Sequence, residues 1–492
     1  VIKPEIIPIR DLLMSMPAWF VWYWLICFGL GLSAAEPIFE EVPTKSSGLD
    51  FRFESGSLGR FDLPEIMGGG MAAADFDGDG RLDLFFCQGG LIEAEPGKTD
   101  PPCRWYRNQG QMQFQEMQVG SDGPSYAMGA WPADYDADGK VDLFVTGWRG
   151  WKLYRNKGGW EFEDVTQNLG SEALKWSTAA VWADFNSDQH LDLYVGGYVE
   201  YDPSKRPFCA APDGARDYCG PEDFEAVPDR LYYGDGHGYF KDVTKAIGIE
   251  NKNGRALGAI AADFNQDGRL DLFVANDGKA NKLFIQNQER KFQDKAIESG
   301  VAFTSSGESL AGMGVTVMES LDKSGVDLMV TNFYDRGTVL FQYRGKEFFE
   351  DQSRPTGLGY LTRKYNGFGI VTDDFDGDGN LDVVQVNGHV LSRERLGTPV
   401  KMRPLMLTRI GDGTFQERSR KEFPAASMKV QGRGLIKADF DQDGRMDLLM
   451  TRLDGEPILL KNVAKVGKSV RVKRTPVFGG SYLSGVVADR VR

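Results

Sequence analysis

Histidine is nearly absent: the 492 residues hold three, His190, His237 and His389. That scarcity excludes a histidine-rich metal centre and repeated histidine-based catalysis. Cysteine is also scarce, at five. No Cys-x-x-Cys-His, Walker loop or Gly-x-Ser-x-Gly elbow occurs, which excludes the haem, P-loop and hydrolase chemistry those motifs carry. Basic charge is in deficit, with 57 Lys and Arg against 71 Asp and Glu, a net charge of −14. That sign is wrong for a nucleic-acid backbone as main partner. The apolar run of residues 19–32 has 14 members, short of the ~20 that a spanning helix needs. Glycine, by contrast, is abundant at 60 residues, and 41% of the chain is hydrophobic. The chain can therefore bury a core and must turn often, which favours an all-β fold.

The run from Trp19 to Leu32, followed by Ser33-Ala34-Ala35, reads as a leader cleaved after Ala35, with residues 1–13 upstream sequence. An uncleaved anchor is the alternative; with cleavage no stable membrane span remains. Cleavage leaves Cys87, Cys103, Cys209 and Cys219. An even count in an exported chain suggests two disulfides. Proximity favours Cys87–Cys103 and Cys209–Cys219, out of three possible connectivities.

One motif recurs. It begins at Asp75, Asp134, Asp184, Asp263, Asp374 and Asp439, as in Asp75-Phe-Asp-Gly-Asp-Gly-Arg-Leu-Asp83, with a degenerate copy from Glu319. The starts lie 50 to 79 residues apart. Each repeat runs small-residue strand, acidic loop, apolar strand, a third strand ending near Asn as at Asn156, and a fourth such as Phe162-Glu-Asp-Val. Seven such units predict a seven-bladed β-propeller of four-stranded blades over 36–465, with 466–492 a short extension. The last repeat lacks its fourth strand after Asn462, and Phe39-Glu-Glu-Val42 supplies a match. An N-terminal strand completing the last blade would close the ring; a linear β-solenoid, the other candidate, leaves that match unexplained.

Asp-x-Asp-x-Asp-Gly-x-x-Asp suits a hard cation, with side chains at positions 1, 3, 5 and 9 and a backbone carbonyl at 7. The ligand sets are Asp75, Asp77, Asp79, Arg81 and Asp83 in blade one, and Asp134, Asp136, Asp138, Lys140 and Asp142 in blade two. Blade three offers Asp184, Asn186, Asp188 and Asp192, and blade four Asp263, Asn265, Asp267, Arg269 and Asp271. Blade six offers Asp374, Asp376, Asp378, Asn380 and Asp382, and blade seven Asp439, Asp441, Asp443, Arg445 and Asp447. The six loops gather 22 carboxylates, whose mutual repulsion a cation would relieve. Five or six calcium ions are expected. The blade-three loop, with Gln189 in place of the sixth-position glycine, is the weakest, and the blade-five copy, with Leu321 and Lys323 at ligand positions, is expected to be empty. Without metal, the same aspartates would serve as turn caps.

These residues resemble the FG-GAP/VCBS repeats of integrin-α-type propellers, over about 37–462. More narrowly, Ala275-Asn-Asp-Gly278 with Asn281, Val386-Asn-Gly-His-Val390 and the insert around Cys209 to Pro221 are similar to the cartilage-acidic-protein group. Its propellers often precede an ASPIC/UnbV domain, pieces of which Ser469–Lys473 and Gly479–Ser484 resemble. The resemblance implies an extracytoplasmic calcium-binding protein with adhesion or matrix roles.

A protein or glycan partner is expected on the face opposite the acidic loops, where the blade-three insert, about 198–229, is the longest connection. Candidate ligand residues there are Asn276, Asp277, Asn281, Asn332, Asp335, Asn387 and His389. Trp148, Trp151, Trp160 and Trp176 could stack on sugars, although blade packing is the simpler use of them. The leading expectation is a non-enzymatic interaction protein. A lectin-like propeller and a polysaccharide-degrading enzyme are the alternatives, and no residue is assigned as catalytic.

Overall fold

The computed structural model describes residues 36–93, 96–120, 123–391 and 393–465, and the backbone of 478–481. The expected leader, and the rest of the extension after residue 465, lie outside the described residues. Seven antiparallel sheets form the seven blades. Blade one is Met71–Ala74, Asp83–Phe86, Arg104–Gly110 and Gln113–Met117, in that order from the inside outwards. Every first strand contacts the first strand of the next blade, and that of blade seven, Gly432–Ala438, contacts that of blade one. The ring is therefore closed.

Position within the blade explains the sequence pattern. First and second strands are sandwiched between neighbouring blades, so, outside the half-buried first strand of blade five, Val315–Glu319, both of their faces are buried and they read as near-continuous small or apolar runs. Ala127–Ala133 and Asp142–Gly147 of blade two are buried at every residue. The fourth strand faces solvent and stays polar, as in Glu161–Asp164. Closure falls where the N-terminal complement predicts. Phe39–Val42 pairs antiparallel with Ile458–Asn462, Phe39 opposite Asn462, and forms the outer strand of blade seven. The Phe39 ring is fully buried, with its centroid 5.4 Å from that of Phe375 and 6.0 Å from that of Phe423.

Seams between blades are stitched by polar side chains. Asn108 Nδ2 donates to Leu82 O in its own blade and to Phe440 O in blade seven, at 3.0 and 2.9 Å. Asn156 reaches Phe76 O at 2.8 Å and Asn462 reaches Phe375 O at 2.8 Å. Asn108→Ala is expected to cost about 1–3 kcal/mol, because it strands the buried Phe440 carbonyl across the seam and the partly buried Leu82 carbonyl in its own blade. Urea melts of the variant check this; an unchanged midpoint contradicts it.

The blade-three insert holds a small hairpin, Cys209–Ala210 with Arg216–Asp217. The predicted Cys209–Cys219 disulfide is present, with an S–S length of 2.07 Å. The predicted Cys87–Cys103 bond is not: both are buried thiols. They flank the second and third strands of blade one, where the register pairs Phe86 with Arg104. The Cys103 sulfur accepts the Gln88 N–H at 3.3 Å, so it serves there as a hydrogen-bond acceptor inside the core.

The insert reaches across the face opposite the acidic loops. Tyr218 donates to Glu65 of blade one at 2.9 Å, and Arg206 pairs with Asp62 and Glu93. Asp217 and Asp213 pair with Arg393 and Arg395 of blade six, at 2.7 and 2.5 Å. Among the described residues no helix is long and apolar enough to cross a membrane.

Candidate metal centre

Each acidic loop joins the first two strands of a blade, and its first aspartate sets its shape. In blade one, Asp75 Oδ1 accepts from the N–H of Gly78 and of Asp79, and Oδ2 from that of Gly80, at 2.8, 3.0 and 2.8 Å. The aspartate is thus a turn cap, as in the metal-free reading, and the same side chain stays close to the other carboxylates. The sixth residue is left-handed in all six loops, φ +88° at Gly80 and +72° at Gln189. Glycine takes that conformation without strain and glutamine does not, a physical reason for blade three to be weakest.

Carboxylate oxygens from positions 1, 3 and 9 lie within 4.8 Å of one another in blades one, two, six and seven. These groups are Asp75, Asp77 and Asp83; Asp134, Asp136 and Asp142; Asp374, Asp376 and Asp382; and Asp439, Asp441 and Asp447. The fifth position departs from the expected convergence. Asp79 Oδ1 caps the Arg81 N–H at 2.9 Å and Oδ2 pairs with the Arg81 and Arg107 guanidiniums. Asp138 and Asp443 make the corresponding caps on Lys140 and Arg445. In blades three and four the third position is an amide: Asn186 and Asn265 accept the fifth-position N–H at Oδ1, at 2.9 and 3.1 Å, and each donates Nδ2 to the fifth-position aspartate at 2.9 Å.

The ninth aspartate is the buried end of each site. Asp83 is fully buried and accepts from Phe76 N at 3.0 Å and Asn108 N at 2.8 Å. Burial, with Asp77 and Asp79 nearby, pushes its carboxyl up to about 7. Burial likewise raises Asp142 to about 8 and Asp192, Asp271, Asp382 and Asp447 to about 7. In blade seven, Asp441 Oδ1 is buried and accepts no hydrogen bond from any described residue. Crowded buried carboxylates, an orphaned oxygen and an all-oxygen donor set fit a hard divalent cation.

Blade five replaces the site with an ion pair. Its ninth-position Asp327 is fully buried and meets Arg409 of blade six at 2.9 Å, the guanidinium only 2% exposed. Arg409 ends the third strand of its blade, where blades one, two and seven carry the seam asparagines. The degenerate loop is thus matched by a compensating base in the next blade. The repeat alignment shows both changes, but only the fold shows that they meet.

Most of the candidate ligand residues on the other face are committed internally. Asn276 holds Arg255 N and Ala280 O, Asn281 holds Val301 O, and Asn387 holds Arg403 O. Asn332 accepts from Ala311 N at 3.0 Å, and Asp277 accepts from the Tyr198 hydroxyl at 2.9 Å. His389 accepts from Leu391 N at 2.9 Å, and burial lowers its pKa to about 4, so it is neutral and pinned. Asp335 is exposed and paired with Lys364 at 2.7 Å. Trp148, Trp151 and Trp176 are buried between blades, and half-buried Trp160 donates to Asp77 at 3.3 Å.

The comparisons agree with this geometry. A family model described as an FG-GAP-like repeat matches residues 75–145, 134–195 and 213–274. Cartilage acidic protein 1 of Xenopus tropicalis is 28% identical over 188 residues, 35% of this chain and 27% of that protein. The Mus musculus and Homo sapiens proteins of that name are 25% and 26% identical over similar shares. The matched stretch thus spans about a quarter of the length of those relatives. An Agrocybe aegerita lectin structure, described as recognising non-reducing terminal N-acetylglucosamine, overlaps 79% of this chain and 87% of its own. Its TM-score of 0.45 and 17% identity make that likeness too distant to bear on a ligand. The chain carries FG-GAP-like repeats in a seven-bladed propeller resembling the cartilage acidic protein group.

Proposed function

We propose that this is an exported interaction protein whose propeller is rigidified by calcium in the blade loops. The observation that carries the calcium reading is the convergence of three carboxylates in each of four loops, one of them buried at the base. Calcium accepts 6–8 oxygens in flexible geometry, which suits a loop that supplies three carboxylates and leaves room for carbonyls and water. Bound there, the ion would supply charge neutralisation and pin the hairpin. It performs no chemistry in this reading.

Export is supported by the Cys209–Cys219 disulfide and by the apolar run before Ser33-Ala34-Ala35. The partner face is the one the insert crosses. Phe208 there is 72% exposed, beside Arg216, on a connection held by a disulfide and by ion pairs to blades one and six. Rigid loops on a scaffold are the usual place for recognition.

The calcium reading carries a pH signature. The cation-free native state holds protons on the ninth-position aspartates up to about pH 7, whereas the unfolded chain releases them near 3.8. The native state therefore binds more protons between those values, and cation-free stability falls as pH rises through that window. Calcium needs the same carboxylates deprotonated. Its stabilising effect is expected to be small at pH 5 and large at pH 8. Melting curves with calcium and with EGTA at both pH values check this; an equal gain at both contradicts it.

A further inference from the structure

By sequence, the blade-six loop is among the strongest, with four aspartates and glycine at the sixth position. Its surroundings are unlike those of its equals. Arg418 follows the fourth strand, Phe415–Glu417, and its N–H bonds to Met406 O at 2.9 Å. In blades two and three the residues making the equivalent bond are Val165 and Val243, both buried. The Arg418 side chain turns back into the loop. Its Nη2 lies 2.6 Å from Asp376, 3.3 Å from Asp378 and 3.8 Å from the buried Asp382. Nε donates to Thr408 Oγ1 at 2.5 Å, and Thr408 in turn donates to Asp382.

Blades one and two also bring an arginine to the third-position aspartate: Arg107 to Asp77 at 2.6 Å and Arg155 to Asp136 at 2.7 Å. Lys461 does the same for Asp441 in blade seven. Among the described residues, only Arg418 comes within 4.0 Å of the ninth-position carboxylate of a four-aspartate loop. It therefore sets positive charge beside the buried ninth carboxylate as well as the third-position one, whereas Arg107, Arg155 and Lys461 pair at the third and fifth positions of their loops. The guanidinium also has somewhere to go. Nη1 already lies 3.2 Å from Glu422, and a cavity of about 170 Å³ is lined by Asp378, Thr408, Gln416, Arg418 and Glu422.

We propose that Arg418 is a built-in counter-ion of the blade-six loop, making it a low-affinity divalent-cation site that fills only when calcium displaces the guanidinium towards Glu422. The inference rests on the calcium reading of the loops and assigns one of them a different duty. Blades one, two and seven hold structural ions, while blade six responds to calcium concentration. A full positive charge close to the site weakens the binding of a second cation in proportion to both charges.

The test is a calcium titration of the full-length protein read by native mass spectrometry, counting ions per chain as free calcium rises. Asp77→Asn marks the blade-one step and Asp376→Asn the blade-six step. The expected result is that Asp77→Asn removes a tight step and Asp376→Asn a weaker one. Arg418→Gln is expected to move the weaker step to about tenfold lower calcium, the scale of one partly exposed charge acting on a divalent ion. Arg418→Val, which installs the residue of blades two and three, serves if the glutamine variant does not fold. If Asp376→Asn removes a tight step, or both arginine variants leave the weak step in place, the proposal is overturned and the calcium reading survives. If wild type and variants bind no calcium at all, both are overturned.

Discussion

Arg409→Leu is expected to destabilise the protein by about 3–5 kcal/mol, the usual cost of leaving one partner of a buried ion pair alone. Asp327 would then be a fully buried carboxylate holding the Tyr343 N–H at 3.0 Å with no cation beside it among the described residues. Burial already drives its pKa upward, with Arg409 opposing that rise. Removing the guanidinium removes the opposition. Pairing the change with Asp327→Asn is expected to recover most of the loss, because the amide can be buried without charge. Calcium is expected to make no difference to either variant's deficit, since blade five supplies no third-position oxygen ligand. Denaturant melts of the two single variants and the double variant measure the coupling. A deficit below about 1 kcal/mol for Arg409→Leu, the scale of an exposed pair, would contradict the buried lock.

Phe39→Ala is expected to cost a similar amount, about 3–5 kcal/mol, from loss of a fully buried aromatic side chain. The consequence reaches beyond the cavity. Phe39 anchors the one strand that joins the two ends of the ring, and its backbone meets Glu422 O in addition to the pairing with Asn462. Loosening it exposes the edge of Ile458–Asn462 and opens blade seven. The variant is therefore expected to show faster hydrogen exchange in blade seven before global unfolding, with blades two to four protected. Uniform loss of protection round the ring would argue against a local clasp.

The fold was legible because each repeat carries the same division of labour. Small residues mark the first strand, an acidic hairpin follows, and an apolar run buried on both faces marks the second strand. Blade number and closure follow from the seven motif starts and the displaced Phe39-Glu-Glu-Val42 segment. The identity of the acidic loops was legible for the same reason, but their inner geometry was not. Spacing alone makes Asp79 look equivalent to Asp77. The left-handed turns at Gly78 and Gly80 send the two carboxylates different ways, and Arg81 and Arg107 then hold Asp79 outside the group.

Contacts between repeats were the least legible. Asn108 and Phe440 are 332 residues apart, and Arg409 and Asp327 are 82 apart. No local pattern ties either pair together. The Tyr-Arg-Asn ending of the third strand was visible, yet its role as a seam latch depends on the carbonyl of the neighbouring blade. Cys87 and Cys103 show the converse, since cysteines placed close by the strand register need not be bonded.

The central claim is that the acidic loops are structural cation sites. The most direct measurement is thermal unfolding of the protein in calcium and in EGTA, with bound metal counted on the same sample. The account predicts a large calcium-dependent gain, with at least the ions of blades one, two and seven retained and a further ion at raised calcium. An unchanged midpoint with no metal bound would contradict it, and would leave the net charge of −14 to be explained by an acidic surface that binds something else.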